Sequence, residues 1–198
     1  MKTDIILAGV GGQGILSIAA VIGTAAIESG LYVKQAEVHG MSQRGGAVQS
    51  HLRISEKPVH SDLIPAGNCD LILSVEPMEA LRYVPFLRAE GWIVSNSRPF
   101  INIPDYPDEK KLLESYAGFE NSLLVDADTM AAEMGSRKVS NIIVLGAAVS
   151  YLGLSQDSIE KAIRMIFGRK GEDVVQMNLD ALNAGLQAAG KIQSSING

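Results

Sequence analysis

The sequence predicts a three-layer α/β/α domain with a mostly parallel sheet and a helical C-terminal third. Short, nearly all-apolar runs recur through the first two thirds, as in strands covered on both faces. Helix-period stretches lie between them, and the last third carries only helix-period stripes. With 198 residues, 46% of them hydrophobic, the chain can bury one sizeable core. We therefore expect one domain over residues 1–198.

Asp4–Ala8 is the first strand and Gln13–Ser29 the first helix, apolar nearly all round, with Ser17, Thr24 and Glu28 as its wet edge. Tyr32–Val38 is the second strand. In the third, Ala47–Ile54, Val48, Ser50, Leu52 and Ile54 alternate with Gln49, His51 and Arg53. Cys69–Val75 and Trp92–Ser95 are buried strands, separated by a Pro77–Leu87 helix whose Pro77 suits the first turn. Arg98–Asp108 holds three prolines and reads as a surface excursion. Ser122–Asp126 is the sixth strand, and Asp128 is placed to cap a short helix ending near Gly135. Asn141–Leu152 is an apolar helix. Ser155 caps Asp157–Phe167, with Glu160 and Arg164 four apart on its wet side. Val175, Leu179, Leu182, Leu186 and Ala189 stripe a final helix.

Composition excludes several functions. Seventeen basic against 22 acidic residues give a net charge of −5, so no broad nucleic-acid footprint is expected. Neither Ile15–Ile27 nor Ile142–Leu154 reaches the roughly 20 residues of a membrane span, so no membrane association is expected. The N-terminal apolar run stops at glycines, short of a signal-peptide core, and cytoplasm is the expected compartment. The single cysteine, Cys69, cannot form an internal disulfide, a cysteine-rich zinc site or an iron–sulfur cluster. Its place at a strand start reads as a small buried hydrophobe.

Gly9-Val10-Gly11-Gly12-Gln13-Gly14 fits G-x-G-x-x-G between a strand and a helix. Glycines there allow a tight turn, bare amides and an approach to the positive helix start, where a phosphate is stabilised. Glu37, 23 residues past Gly14, superficially fits the ribose-binding acid of a dinucleotide domain. A ligand-free turn, a phosphate site and a partner contact all remain open for this loop. No P-loop motif is present. A second polar glycine loop follows, Ser42-Gln43-Arg44-Gly45-Gly46. The Arg44 fork suits a phosphate or carboxylate, and a salt-bridging turn is the alternative.

The chain resembles the gamma subunits or domains of 2-oxoacid:ferredoxin oxidoreductases, and within them the small (beta) subunits of the indolepyruvate branch. The resemblance runs through nearly the whole chain. It rests on AGVGGQGIL at Ala8–Leu16, EVHGMSQRGGAVQSHLR at Glu37–Arg53, EPMEALRY at Glu76–Tyr83, SNSRP at Ser95–Pro99, and Asn141. It implies a holoenzyme that oxidatively decarboxylates aryl pyruvates to an acyl-CoA, CO2 and reduced ferredoxin. Thiamine diphosphate, Mg2+ and iron–sulfur clusters would reside on a large alpha subunit, with no cofactor assigned to this chain and no activity expected of it alone. Because the family's gamma domain lies near the coenzyme A approach, the residues put forward for phosphate contact are Gly11, Gly12, Gln13, Gly14, Ser42, Gln43, Arg44, Gly45 and Gly46. The alternatives are a gamma subunit of a pyruvate or 2-oxoglutarate enzyme, and a free-standing dinucleotide-binding protein.

The remaining candidates read as structural. His39, His51 and His60 have no single-helix metal spacing. Glu76 and Glu79 flank Pro77 at a helix start and read as capping charges before acid–base groups. Tyr83, Phe86 and Trp92 read as core or interface. Ser95, Asn96, Ser97 and Arg98 follow the carboxyl end of a parallel strand and form a third candidate site.

Overall fold

The computed structural model describes residues 1–39, 46–101 and 103–196. Along the chain run β1 (Lys2–Val10), α1 (Ile15–Glu28), β2 (Tyr32–His39), β3 (Ala47–Ser55), β4 (Cys69–Ser74) and α2 (Pro77–Arg82). Then follow β5 (Leu87–Asn96), α3 (Glu109–Glu114), β6 (Ser122–Val125), α4 (Ala127–Glu133), α5 (Ser140–Ala148), α6 (Gln156–Phe167) and α7 (Glu172–Ile196).

The strands form one sheet in the order β2-β3-β1-β4-β5-β6. β1, β4, β5 and β6 pair in parallel, while β3 is antiparallel to both β1 and β2. β3 alone opposes the others, so the sheet is mostly parallel as expected. The all-apolar strands are covered on both faces. Ile5, Leu7, Leu71, Leu73 and Val94 pack under α1, α4, α5, α6 and α7. Ile6, Ile72 and Ile93 point the other way, against a thinner layer that includes Ala80 of α2 and Tyr116. The three layers are thus unequal, because the helical C-terminal third adds to one face only.

Several expectations are corrected in detail. β5 begins at Leu87 and not at Trp92, and its first residues, Arg88, Ala89 and Glu90, are exposed. Sheet hydrogen bonding there carries a polar stretch that periodicity reads as loop. The helix before it is shorter, ending at Arg82 with a 3-10 turn at Val84–Phe86. A six-residue helix, α3, follows the proline segment. Asp126 caps α4 by accepting the Thr129 N–H at 3.1 Å, and Asp128 lies in its first turn. The exposed edge of α1 includes Leu16 and Ile27, whereas Ser17 and Thr24 are half-buried. Arg164 pairs with Glu172 at 3.5 Å, and Glu160 instead accepts from Gln156.

The β3 alternation holds, but its polar face is not wet. Arg53 donates to both oxygens of the fully buried Asp4, at 2.8 and 3.0 Å, across the β1–β3 register. It also donates to the carbonyls of Ser61 and Leu63, which ties residues 56–68 over that face.

Candidate functional site

The carboxyl ends of β1, β4, β5 and β6 share one edge of the sheet, where α/β folds place ligands. β1 leaves its last residue, Val10, into the first glycine loop. The loop is closed by its own side chain: Gln13 Oε1 accepts the Val10 N–H at 2.8 Å, and Gln13 Nε2 donates to the Val75 carbonyl at 3.5 Å. The Gly11 N–H donates to the Gly46 carbonyl at 2.8 Å, which joins the two glycine loops at their described ends. The loop amides are therefore less bare than the motif suggests. Gly14 adopts φ +84° as the N-cap of α1, and Asn141 of α5 donates to its carbonyl at 3.1 Å. A Cβ on Gly14 would stand 2.5 Å from Asn141 Nδ2, so glycine is required there by both backbone and space.

A cleft of about 650 Å³ opens beside this turn. Gly12, Gly14 and Asn141 line it together with Arg137, Lys138 and Lys170. A second hollow, about 710 Å³, shares Asp128 and Arg137 with it. Two features give the cleft a positive character. Its three cations are surface side chains that enter no ion pair among the described residues; Lys170 lies 5.2 Å above the Phe167 ring. The starts of α1 and α5 beside it also differ from those of four other helices. α2, α3, α4 and α6 are each capped by a side chain, from Glu76, Asp108, Asp126 and Ser155. α1 and α5 have no side-chain cap. The positive ends of their dipoles favour an anion there.

Behind the cleft lies a buried polar hub. Glu76 is fully buried and caps α2 by accepting the Glu79 N–H at 2.7 Å. Its Oε1 accepts the Phe100 N–H at 3.2 Å and the Tyr106 hydroxyl. Burial and that carboxylate push the Tyr106 hydroxyl up, so it keeps its proton and donates. Glu79, nearly fully buried, pairs with Arg82 through one oxygen at 3.1 Å, and its other oxygen has no hydrogen-bond partner among the described residues. Burial, opposed by Arg82 and assisted by Glu76, holds its carboxyl above the ordinary range. Asn96 is the other hub. It accepts the Ala127 N–H at 3.1 Å and donates toward Val75, Arg98 and Asp128 at 3.3–3.4 Å.

The expected site residues separate accordingly. Gly12, Gln13 and Gly14 line the cleft and Gly11 is hydrogen-bonded to Gly46, whereas Ser42, Gln43, Arg44 and Gly45 lie outside the described residues. Asn96 and Arg98 of the third candidate stitch β5 to β6 and α4, Arg98 through Asp126 at 2.8 Å. His51 is buried and accepts the Ile64 N–H at 3.0 Å, which makes it a structural acceptor. Cys69 is fully buried, and burial pushes its thiol up to about 12, which removes it as a nucleophile at neutral pH. Glu37 sits on β2, separated from β1 by the antiparallel β3. In a dinucleotide domain the strand bearing the ribose acid lies directly beside β1, so this topology does not supply the ribose contact. Arg137, Lys138 and Lys170 were not legible as site residues. The Arg137–Lys138 pair just before Asn141 was the available signal, but only the fold brings it to the glycine loop.

The family model described as pyruvate ferredoxin/flavodoxin oxidoreductase matches residues 4–188. A curated relative, indolepyruvate oxidoreductase subunit IorB of Thermococcus kodakarensis, is 39% identical over 197 residues, which span 94% of this chain and 95% of the relative. Among solved structures, the gamma subunit of a keto/oxoacid ferredoxin oxidoreductase from Geobacter sulfurreducens has a TM-score of 0.69 at 26% identity. That match covers 94% of this chain and 98% of the other. The 2-oxoglutarate:ferredoxin oxidoreductase of Magnetococcus marinus, solved with 2-oxoglutarate, coenzyme A and succinyl-CoA bound, has a TM-score of 0.76 at 23% identity. It matches 96% of this chain, which spans 31% of that longer one, and the likeness is one of fold.

Proposed function

The chain belongs to the pyruvate ferredoxin/flavodoxin oxidoreductase family, and from that premise we propose that it is the small, gamma-type subunit of an indolepyruvate:ferredoxin oxidoreductase. The complex oxidatively decarboxylates an aryl pyruvate to an acyl-CoA and CO2 and reduces ferredoxin. Residues 1–198 act as one domain, in the cytoplasm, beside a large subunit that holds thiamine diphosphate, Mg2+ and the iron–sulfur clusters. The observation that carries this reading is the 39% identity, end to end, with an indolepyruvate oxidoreductase subunit. The residues agree with a subunit that moves no electrons. One buried thiol cannot ligate a cluster, and the chain offers no other sulfur ligand of that kind.

In this reading the chain contributes the cleft, and the cleft takes the phosphates of coenzyme A. The starts of α1 and α5, without side-chain caps, and the cations Arg137, Lys138 and Lys170 suit a ligand with several phosphate groups. Gly12, Gln13 and Gly14 line the cleft, and Gly11, Ser42, Gln43, Arg44, Gly45 and Gly46 are proposed to reach the same phosphates. Calorimetric titration of coenzyme A into the assembled complex tests this. Combined Arg137→Ala and Lys138→Ala should weaken binding about tenfold or more, as expected for loss of charge-assisted hydrogen bonds. Arg44→Ala should weaken it too if the second loop reaches the same phosphates. Unchanged affinity in all of these variants would remove coenzyme A from the cleft. The reading as a gamma subunit for another 2-oxoacid is favoured by the likeness to the Geobacter subunit. Assaying the complex with indolepyruvate, pyruvate and 2-oxoglutarate in turn decides between them.

A further inference from the structure

The proline-containing segment after β5 is fastened to the body of the fold from below. Arg98 pairs with Asp126, and the Phe100 N–H and the Tyr106 hydroxyl both donate to one oxygen of Glu76. The two oxygens of Glu76 thus serve different ends. Oε2 caps α2 through the Glu79 N–H, and Oε1 holds the segment. Capping alone does not require a glutamate in this chain. Asp108 and Asp126 make the same bond to the third helical N–H of α3 and α4, each at 3.1 Å. The extra methylene of Glu76 gives its carboxylate reach beyond the cap. What it reaches is the backbone of Phe100, a residue that lines the cleft and is 44% exposed.

We propose that Glu76 is a positioning residue for the cleft: its buried carboxylate fixes Phe100 in the lining, and through that residue sets how tightly the cleft holds its phosphate-bearing ligand. The proposal rests on the reading of the cleft as the coenzyme A site. Phe100 adds an apolar ring to a lining that also carries cations, suited to the part of the ligand that bears no charge. Released from Glu76, the segment would spend only a fraction of its time with Phe100 in place, and the apparent affinity would fall by that fraction.

Two variants separate the strap from the cap. Glu76→Asp retains a capping carboxylate of the kind α3 and α4 use, but is one methylene short of Phe100 and Tyr106. Tyr106→Phe removes a single hydroxyl and leaves Glu76 intact. In the assembled complex, each should raise KM for coenzyme A roughly fivefold with kcat within about twofold. Amide exchange of the peptide containing Phe100 should speed up in both. Phe100→Ala should raise KM similarly, and adding Glu76→Asp to it should raise KM no further, because both act through the same ring. Faster Phe100 exchange with unchanged KM would overturn the proposal while leaving the coenzyme A reading intact, provided that Arg137→Ala with Lys138→Ala still weakens binding. Unchanged affinity in that cation variant as well would overturn both together.

Discussion

His51 illustrates how burial changes what a side chain can do. Its Nδ1 accepts the Ile64 N–H, so the folded state requires the neutral ring with its proton on Nε2. Burial, assisted by the Arg53 charge, holds its pKa below the ordinary 6.5. The unfolded chain takes up that proton at the ordinary value, whereas the folded chain resists it. His51 therefore contributes full stability above about pH 6.5, and the contribution is lost as pH falls toward the lower folded pKa. Denaturation midpoints between pH 8 and pH 5 should fall more steeply in the wild type than in His51→Asn, which keeps an acceptor at the δ position and cannot titrate. Each unit of pKa separation corresponds to about 1.4 kcal/mol; parallel profiles would refute the assignment. Alternation along β3 puts His51 on the correct face. It could not show that residues 56–68 cover that face, because their anchors, Arg53 and His51, are fixed only when β3 pairs with β1. The long-range reach of Glu76 to Tyr106 was equally invisible, since nothing local marks a carboxylate with two clients.

Among the elements, the α5–α7 contact depends most on residue size. A Cβ on Gly185 would fall inside contact distance of the Ile143 carbonyl, and one on Gly146 would do the same to the Leu182 carbonyl. The two backbones touch, so Gly185→Ala or Gly146→Ala should cost roughly 2–3 kcal/mol in urea unfolding through overpacking. Gly190, on the same helix α7, has nothing within 4 Å of the place a methyl group would occupy. Gly190→Ala should instead stabilise by about 0.5–1 kcal/mol through helix propensity. Equal effects at Gly185 and Gly190 would contradict the close packing. β1, β4 and the core of β5 were legible because their apolar runs are short and covered on both faces, and β3 because its apolar and polar residues alternate. The start of β5 was not, since Arg88 and Glu90 carry no periodic signal. α3 escaped notice because six residues after three prolines give less than two turns to read.

For the whole molecule, net charge and local charge point in different directions. A chain of net charge −5 still gathers Arg137, Lys138 and Lys170 around two uncapped helix starts. Composition therefore excluded a nucleic-acid footprint without revealing the anion-suited cleft. Sheet order was likewise beyond the sequence: periodicity identifies β2 and β3 as strands but does not say which one lies against β1. That order decides against the dinucleotide reading of Glu37. The glycine loop was legible as a turn, and Gln13 was legible only as a polar oddity until its amide was seen closing the loop.

The central claim is that this polypeptide completes an oxidoreductase whose electrons travel through another subunit. Indolepyruvate- and coenzyme A-dependent reduction of ferredoxin, measured for the purified chain alone and after mixing with the large subunit, tests it most directly. Turnover is expected only in the mixture, with loss of activity when the small subunit is omitted. Sustained reduction by the chain alone, or a large subunit fully active without it, would contradict it.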